Sequence, residues 1–346
     1  MRLPALRRLV SIAAVLACAG CGAAKNFSPG VVYPPPAAAP PLKLCPIAAS
    51  APHAVVSQLG FTMLTVSATD AAHQPIGGLT QAGFEVHSGA SAYPIAYFHA
   101  DDGAAPESIA IVIDTSGSMH PKLPVVEQAL GGFLTKRNPC DEVAVYAFSD
   151  RPYLLLPFTT DHQAAVQRLS TLRANGETAL YDSIATAIAY QQKSAHYPDR
   201  AIVLITDGID NHSKMTQSDL VAQSKASGVR MFLIGIGDPN ASTLPGIAIG
   251  PFVVNGSDME RVDAKAINSL ADATGGEAFI VPTVANKDDD DAFGKAVASI
   301  GAALGHGYSL GVILPPGVAA SSVTVAVPSH PDAVVTTRPA PAAKSP

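Results

Sequence analysis

The run Ile109-Ala110-Ile111-Val112-Ile113 is wholly apolar and stops at Asp114-Thr115-Ser116-Gly117-Ser118, an acid followed by small hydroxyl-bearing residues. Such a run reads as a buried strand, and it constrains the chain because strands and helices then alternate from Ser108 to Leu304. Strand candidates are Ile109–Ile113, Glu142–Phe148, Ala201–Ile205, Val229–Ile236, Ala278–Val281 and Tyr308–Ile313. Between them apolar residues recur at i, i+3, i+4 or i+7, giving one stripe per helix. The stripes are Val126, Leu130, Phe133 and Leu134; Val166, Leu169 and Leu172; Leu180, Ile184, Ala187 and Ile188; and Phe293, Val297, Ile300 and Leu304. Asp161, Ser218 and Asp263 stand where helix N-caps are needed. The expected fold over 107–305 is α/β, a doubly wound, mostly parallel sheet with helices on both faces.

The flanks follow another pattern. Between Val55 and Asp102 the runs FTMLTVSATD, GFEVHSG and YPIAYFHA are short and alternating, separated by turn signals such as HQPIGG. A small β-rich domain over 52–104 holds too little apolar surface to stand alone. The segments SSVTVAVPS and DAVVTTR, in a C-terminal portion spanning 306–346 that ends in a Pro/Ala-rich tail, are expected to complete it.

Residues 21–51, rich in Pro and Ala, read as an extended tether. Ahead of them, Arg2, Arg7 and Arg8 precede the apolar run Leu9–Ala17, which is too short to span a bilayer, so 1–20 reads as an export signal. The end of that signal, Leu16-Ala17-Cys18-Ala19-Gly20-Cys21, resembles a bacterial lipoprotein cleavage site. It marks Cys21 for lipidation, with Cys18 as the alternative. A lipid there anchors a domain to a membrane without spanning it. Gly22, in place of an acid, tilts the expectation towards the outer membrane, facing periplasm or cell surface. An oxidising setting permits a disulfide between Cys45 and Cys140, although their separation in sequence gives it no geometric support.

Three segments bring oxygen to the carboxyl ends of strands, where an open α/β sheet has its ligand crevice. They are Asp114, Ser116 and Ser118 on the first loop, Thr178 ahead of the Leu180 helix, and Asp207 after the strand Ala201–Ile205. Hard oxygen donors of this kind select Mg²⁺, Mn²⁺ or Ca²⁺ over softer metals. Two carboxylates balance a divalent charge, while three hydroxyls leave the ion electrophilic.

Asp114, Ser116, Ser118, Thr178 and Asp207 resemble the metal-ion-dependent adhesion site of a von Willebrand factor A domain. PIGGLTQAGFEV, DEVAVYAFSD, SLADATGGEAF and YSLGVILPP extend the likeness to a bacterial exported subfamily related to that domain. The resemblance implies Ser116, Ser118 and Thr178 as direct ligands, with Asp114 and Asp207 holding the ion directly or through water. It also implies a protein partner that supplies an acidic side chain to the ion.

The rest of the chain narrows the function classes. Net charge is −6, with no Lys/Arg block able to neutralise a phosphate backbone, so nucleic acid is not an expected partner. There is no HExxH, GxSxG or GxxxxGK[ST] motif, and the ten histidines lack ligand spacing. A non-enzymatic binding module is therefore expected. Two alternatives are a metal-assisted hydrolase using Glu177 as base, and an assembly scaffold whose metal is structural. Lys287–Asp291 reads as acids placed just before a helix, and the loop 238–261 as partner-shaping or irregular.

Overall fold

The computed structural model describes residues 33, 42–45, 62–71, 74–102, 105–240, 247–249, 252–254, 261–282 and 287–339. The lipidation candidates Cys18 and Cys21 and the export signal lie outside the described residues, as does the tether except for Tyr33 and residues 42–45.

In chain order the elements are β1 (Thr62–Thr69), β2 (Glu85–Ser88), β3 (Ser91–Tyr93), β4 (Ile95–Asp102), β5 (Ser108–Asp114), α1 (Leu123–Lys136), β6 (Glu142–Phe148), β7 (Pro152–Thr159), α2 (His162–Leu169), α3 (Leu180–Ser194), β8 (Arg200–Thr206), α4 (Gln217–Ser227), β9 (Arg230–Ile236), β10 (Ile247–Ile249), β11 (Phe252–Val254), α5 (Ala264–Thr274), β12 (Ala278–Val281), α6 (Lys287–Ala303), β13 (His306–Val312), β14 (Thr324–Ala326) and β15 (Val334–Pro339). The central sheet runs β12-β9-β8-β5-β6-β7, with every pairing parallel except that of β7.

All of β5 is buried, and its period-two side chains divide between two cores. Ile109, Ile111 and Ile113 pack with Val126, Leu130, Leu169, Phe293 and Ile300, so α1, α2 and α6 cover one face. Ala110 and Val112 pack with Ile184, Ile188, Leu220, Ile267 and Leu270, so α3, α4 and α5 cover the other. Each fully buried isoleucine contributes about 1.5–3 kcal/mol. The fold is the doubly wound α/β arrangement that the alternation predicts.

Asp161 and Asp263 cap α2 and α5, accepting from the backbone N–H of Ala164 and Ala266. Four expectations need correction. Thr216, not Ser218, caps α4, and Ser218 bonds to it side chain to side chain at 3.0 Å. The α2 helix ends at Leu169, leaving Leu172 beyond it. Lys287–Asp291 forms the first residues of α6 rather than preceding it. The Tyr308–Ile313 strand is β13, and it leaves the parallel sheet to lie antiparallel between β1 and β4.

That second sheet has the order β15-β1-β13-β4, and a smaller one runs β14-β2-β3. Leu64, Val66, Phe84 and Val86 share one core with Tyr308, Leu310, Val323 and Val325. Strands from residues 62–93 and from 306–339 are thus interleaved: β1 is flanked by β13 and β15, and β14 extends the hairpin of β2 and β3. Both portions therefore contribute buried side chains to this one core.

The described part of the tether lies against the parallel sheet. Cys45 and Cys140 form a disulfide with Cα atoms 5.5 Å apart, and the Cys45 N–H donates to the Tyr197 hydroxyl at 3.0 Å. The Lys43 N–H reaches Thr160 Oγ1 at 3.3 Å. Tyr33 stacks edge-on against Tyr153 of β7 and exchanges 3.0 Å hydrogen bonds with the backbone of Arg173.

Candidate metal centre

Strand order places β5 between β6 and β8, so the chain winds outward in both directions from β5 and opens a crevice at its carboxyl end. Asp114 closes β5 there, and Asp207 follows β8 directly. Both are fully buried or nearly so. The two loops meet through Thr206, whose hydroxyl donates to Asp114 Oδ2 at 2.5 Å, and through Ser118, whose hydroxyl donates to Asp207 Oδ1 at 2.8 Å.

Backbone hydrogen bonds hold the loop in place. Asp114 Oδ1 accepts the Ser116 N–H at 2.8 Å, the geometry of an Asx turn. The Thr115 N–H donates to Phe148 O, the Asn175 N–H to Thr115 O, and the Gly117 N–H to Gly176 O at 3.1 Å. Gly176 has φ 94°, a conformation that favours glycine, and it turns the chain towards Thr178. The Thr178 N–H donates to Asn211 Oδ1 at 2.9 Å, and its carbonyl accepts from the N–H groups of Asn211 and His212.

The structure brings all five sequence candidates together. The Ser116 and Ser118 hydroxyls lie 3.2 Å apart. Thr178 faces Gly208: a Cβ on that glycine would stand 3.2 Å from Thr178 Oγ1 and 3.7 Å from Asp114 Oδ2. Burial, and next the charge of Asp207, push the Asp114 carboxyl up to about 7. Two carboxylates and three hydroxyls, gathered from three loops, are a donor set that a hard divalent cation fits. Among the described residues no three His, Cys, Asp or Glu side chains gather in a way that could hold a metal, so the hydroxyls are indispensable to such a site.

Glu177 is exposed beside Thr178, and its N–H donates to Asp150 Oδ1 at 2.6 Å. His120 is exposed after the serine loop. Sequence reasoning missed Thr206, Asn211 and, above all, Lys122. The Lys122 ammonium lies 2.5 Å from Asp207 Oδ2, with both side chains buried. The available signal is position alone: a lysine four residues past Ser118, at the N-cap of α1 where a hydroxyl or acid is usual.

A doubly wound α/β domain with an oxygen-lined crevice at its strand ends is thus the class of protein that fold and site define. Residues 109–209 match the family described as von Willebrand factor type A domain. An uncharacterized protein of Borreliella burgdorferi is 26% identical over 206 residues, covering 56% of this chain and 58% of that protein. A UPF0353 protein of Mycolicibacterium paratuberculosis is 36% identical over 117 residues, covering 30% of this chain and 34% of that protein. The chain therefore spans between about a third and somewhat over half the length of these relatives. Among solved structures, a von Willebrand factor type A protein from Catenulispora acidiphila overlaps 62% of this chain and 51% of its own, at 20% identity and TM-score 0.43.

Proposed function

We propose that the chain is an envelope-anchored binding protein whose crevice holds a divalent cation, Mg²⁺ or else Mn²⁺ or Ca²⁺, and uses it to bind an acidic side chain of a protein partner. The observation that carries this reading is the convergence of Asp114, Ser116, Ser118, Thr178 and Asp207, from three separate loops, at the open end of the sheet. Asp114 and Asp207 would supply the negative charge, and Ser116, Ser118 and Thr178 neutral oxygens. The cation would act as a Lewis acid towards the partner's carboxylate. The half-buried Ser118 and exposed Gly117 put the crevice mouth within reach of another protein.

The leader pattern ending at Cys21 supports a lipid anchor, and Gly22, in place of an acid, tilts the reading towards the outer membrane. Among the described residues no helix is long and apolar enough to cross a membrane. The hydrolase reading depends on Glu177, and its exposure at the rim does not favour it as a catalytic base.

Calorimetric titration of Mn²⁺ and Mg²⁺ into the full chain tests the site. Binding by the wild type and none by Asp114→Ala, with both proteins melting cooperatively, is the expected result; equal affinity would exclude a metal at Asp114. Capture of partners from native envelope with and without chelator then separates a bridging ion from a structural one.

A further inference from the structure

Lys122 is out of place on every local criterion. A lysine is rarely buried, yet its side chain is 3% exposed. It occupies the N-cap of α1, where the helix end carries partial positive charge and disfavours a cation. Its backbone carbonyl begins the helix by accepting from Val125 and Val126, but its side chain caps nothing. The side chain runs instead to Asp207 Oδ2 at 2.5 Å, while Asp207 Oδ1 takes the Ser118 hydroxyl. One carboxylate of the oxygen cluster is thus neutralised by a cation belonging to the chain itself.

From this geometry we propose that Lys122 is a resident competitor for the divalent ion, a residue that sets how tightly the crevice holds metal. The inference rests on the metal-holding reading of the site. Two carboxylates give the cluster a formal charge of −2, and the Lys122 ammonium reduces it to −1. Affinity of an oxygen site for a hard cation follows its ligand charge. A like charge in contact with Asp207 opposes any dication sharing that carboxylate, and burial keeps solvent from screening the repulsion. In the metal-free protein the same ammonium spares Asp207 from lying buried, unpaired and close to Asp114. Lys122 therefore stabilises the metal-free crevice and weakens metal binding through one contact.

The test is metal titration of the full chain carrying Lys122→Met, which keeps an apolar stem and removes the charge, or Lys122→Arg, which keeps the charge. Lys122→Met is expected to bind Mn²⁺ about tenfold or more tighter than wild type. Its metal-free form should melt at a lower temperature, and saturating Mn²⁺ should raise that temperature by more than in wild type. Lys122→Arg is expected to stay close to wild-type affinity. An ordinary structural ion pair predicts the opposite sign, a loss of affinity on removal, so unchanged or weaker Mn²⁺ binding by Lys122→Met overturns the proposal while leaving the metal site standing. Lys122→Gln, which retains a donor for Asp207 without the charge, gives the same readout should the methionine variant not fold. If neither the wild type nor any Lys122 variant binds Mn²⁺, the metal reading itself fails.

Discussion

The Ser118 hydroxyl donates to Asp207 Oδ1 at 2.8 Å, joining two loops separated by 89 residues of sequence. It is the shortest side-chain link between the DTSGS loop and the end of β8 apart from Thr206–Asp114. Ser118→Ala removes one oxygen donor and one constraint on the carboxylate together. Mn²⁺ affinity measured by calorimetry is expected to fall about tenfold or more, while stability falls by only about 1 kcal/mol, the net worth of one hydrogen bond.

Gly208→Ala tests the crevice sterically without replacing a charged group. The new Cβ would come 3.2 Å from Thr178 Oγ1 and 3.3 Å from Thr178 Cγ2, closer than most real contacts. Thr178 must give way, and overpacking of this kind costs about 1–3 kcal/mol. Urea denaturation should register that loss, and Mn²⁺ binding should weaken in the same variant.

The Cys45–Cys140 bridge closes a loop of 95 residues' separation. Chain-entropy reasoning for loops of this size, and removal of native disulfides generally, put the loss at about 2–5 kcal/mol. Cys45→Ser with Cys140→Ser, or reduction of the wild type, is expected to lower the urea midpoint accordingly.

A chain ending after Pro315 keeps β13 but loses β14, β15 and the buried Val323, Val325 and Val327. Limited proteolysis should then cleave within residues 62–102 while the α/β portion persists. Resistance of both portions would show that the antiparallel sheet does not need its C-terminal strands.

Much of the α/β layer was legible because long apolar runs and helical stripes are local signals. Glu142–Phe148 and Ala278–Val281 coincide with β6 and β12. The antiparallel edge strand β7 was not foreseen, since Pro152 and Pro157 break its pattern and an edge position tolerates them. The assignment of β13 failed for a different reason: its sequence looks the same whichever sheet it joins, and only pairing with β1 decides. At the crevice Asp114 and Asp207 were legible because each closes a buried apolar strand, whereas the five oxygen residues became a set only through the resemblance to a metal-ion-dependent adhesion site. Lys122 was not legible, since nothing in local spacing reveals that a lysine folds back beneath a loop to meet a residue 85 positions away.

The bridge between Cys45 and Cys140 also decides where tension would travel. A pull applied ahead of Cys45 passes through sulfur into Cys140, two residues before β6, whose ladder with β5 runs from Ser108 against Glu142 to Asp114 against Phe148. Residues 46–61 and β1 are bypassed, so the antiparallel sheet stays slack. Were the tether anchored and the crevice occupied as proposed, the two would be the ends of a single mechanical line through the parallel sheet, and load would reach one from the other without crossing the pairing of β1 with β13 and β15.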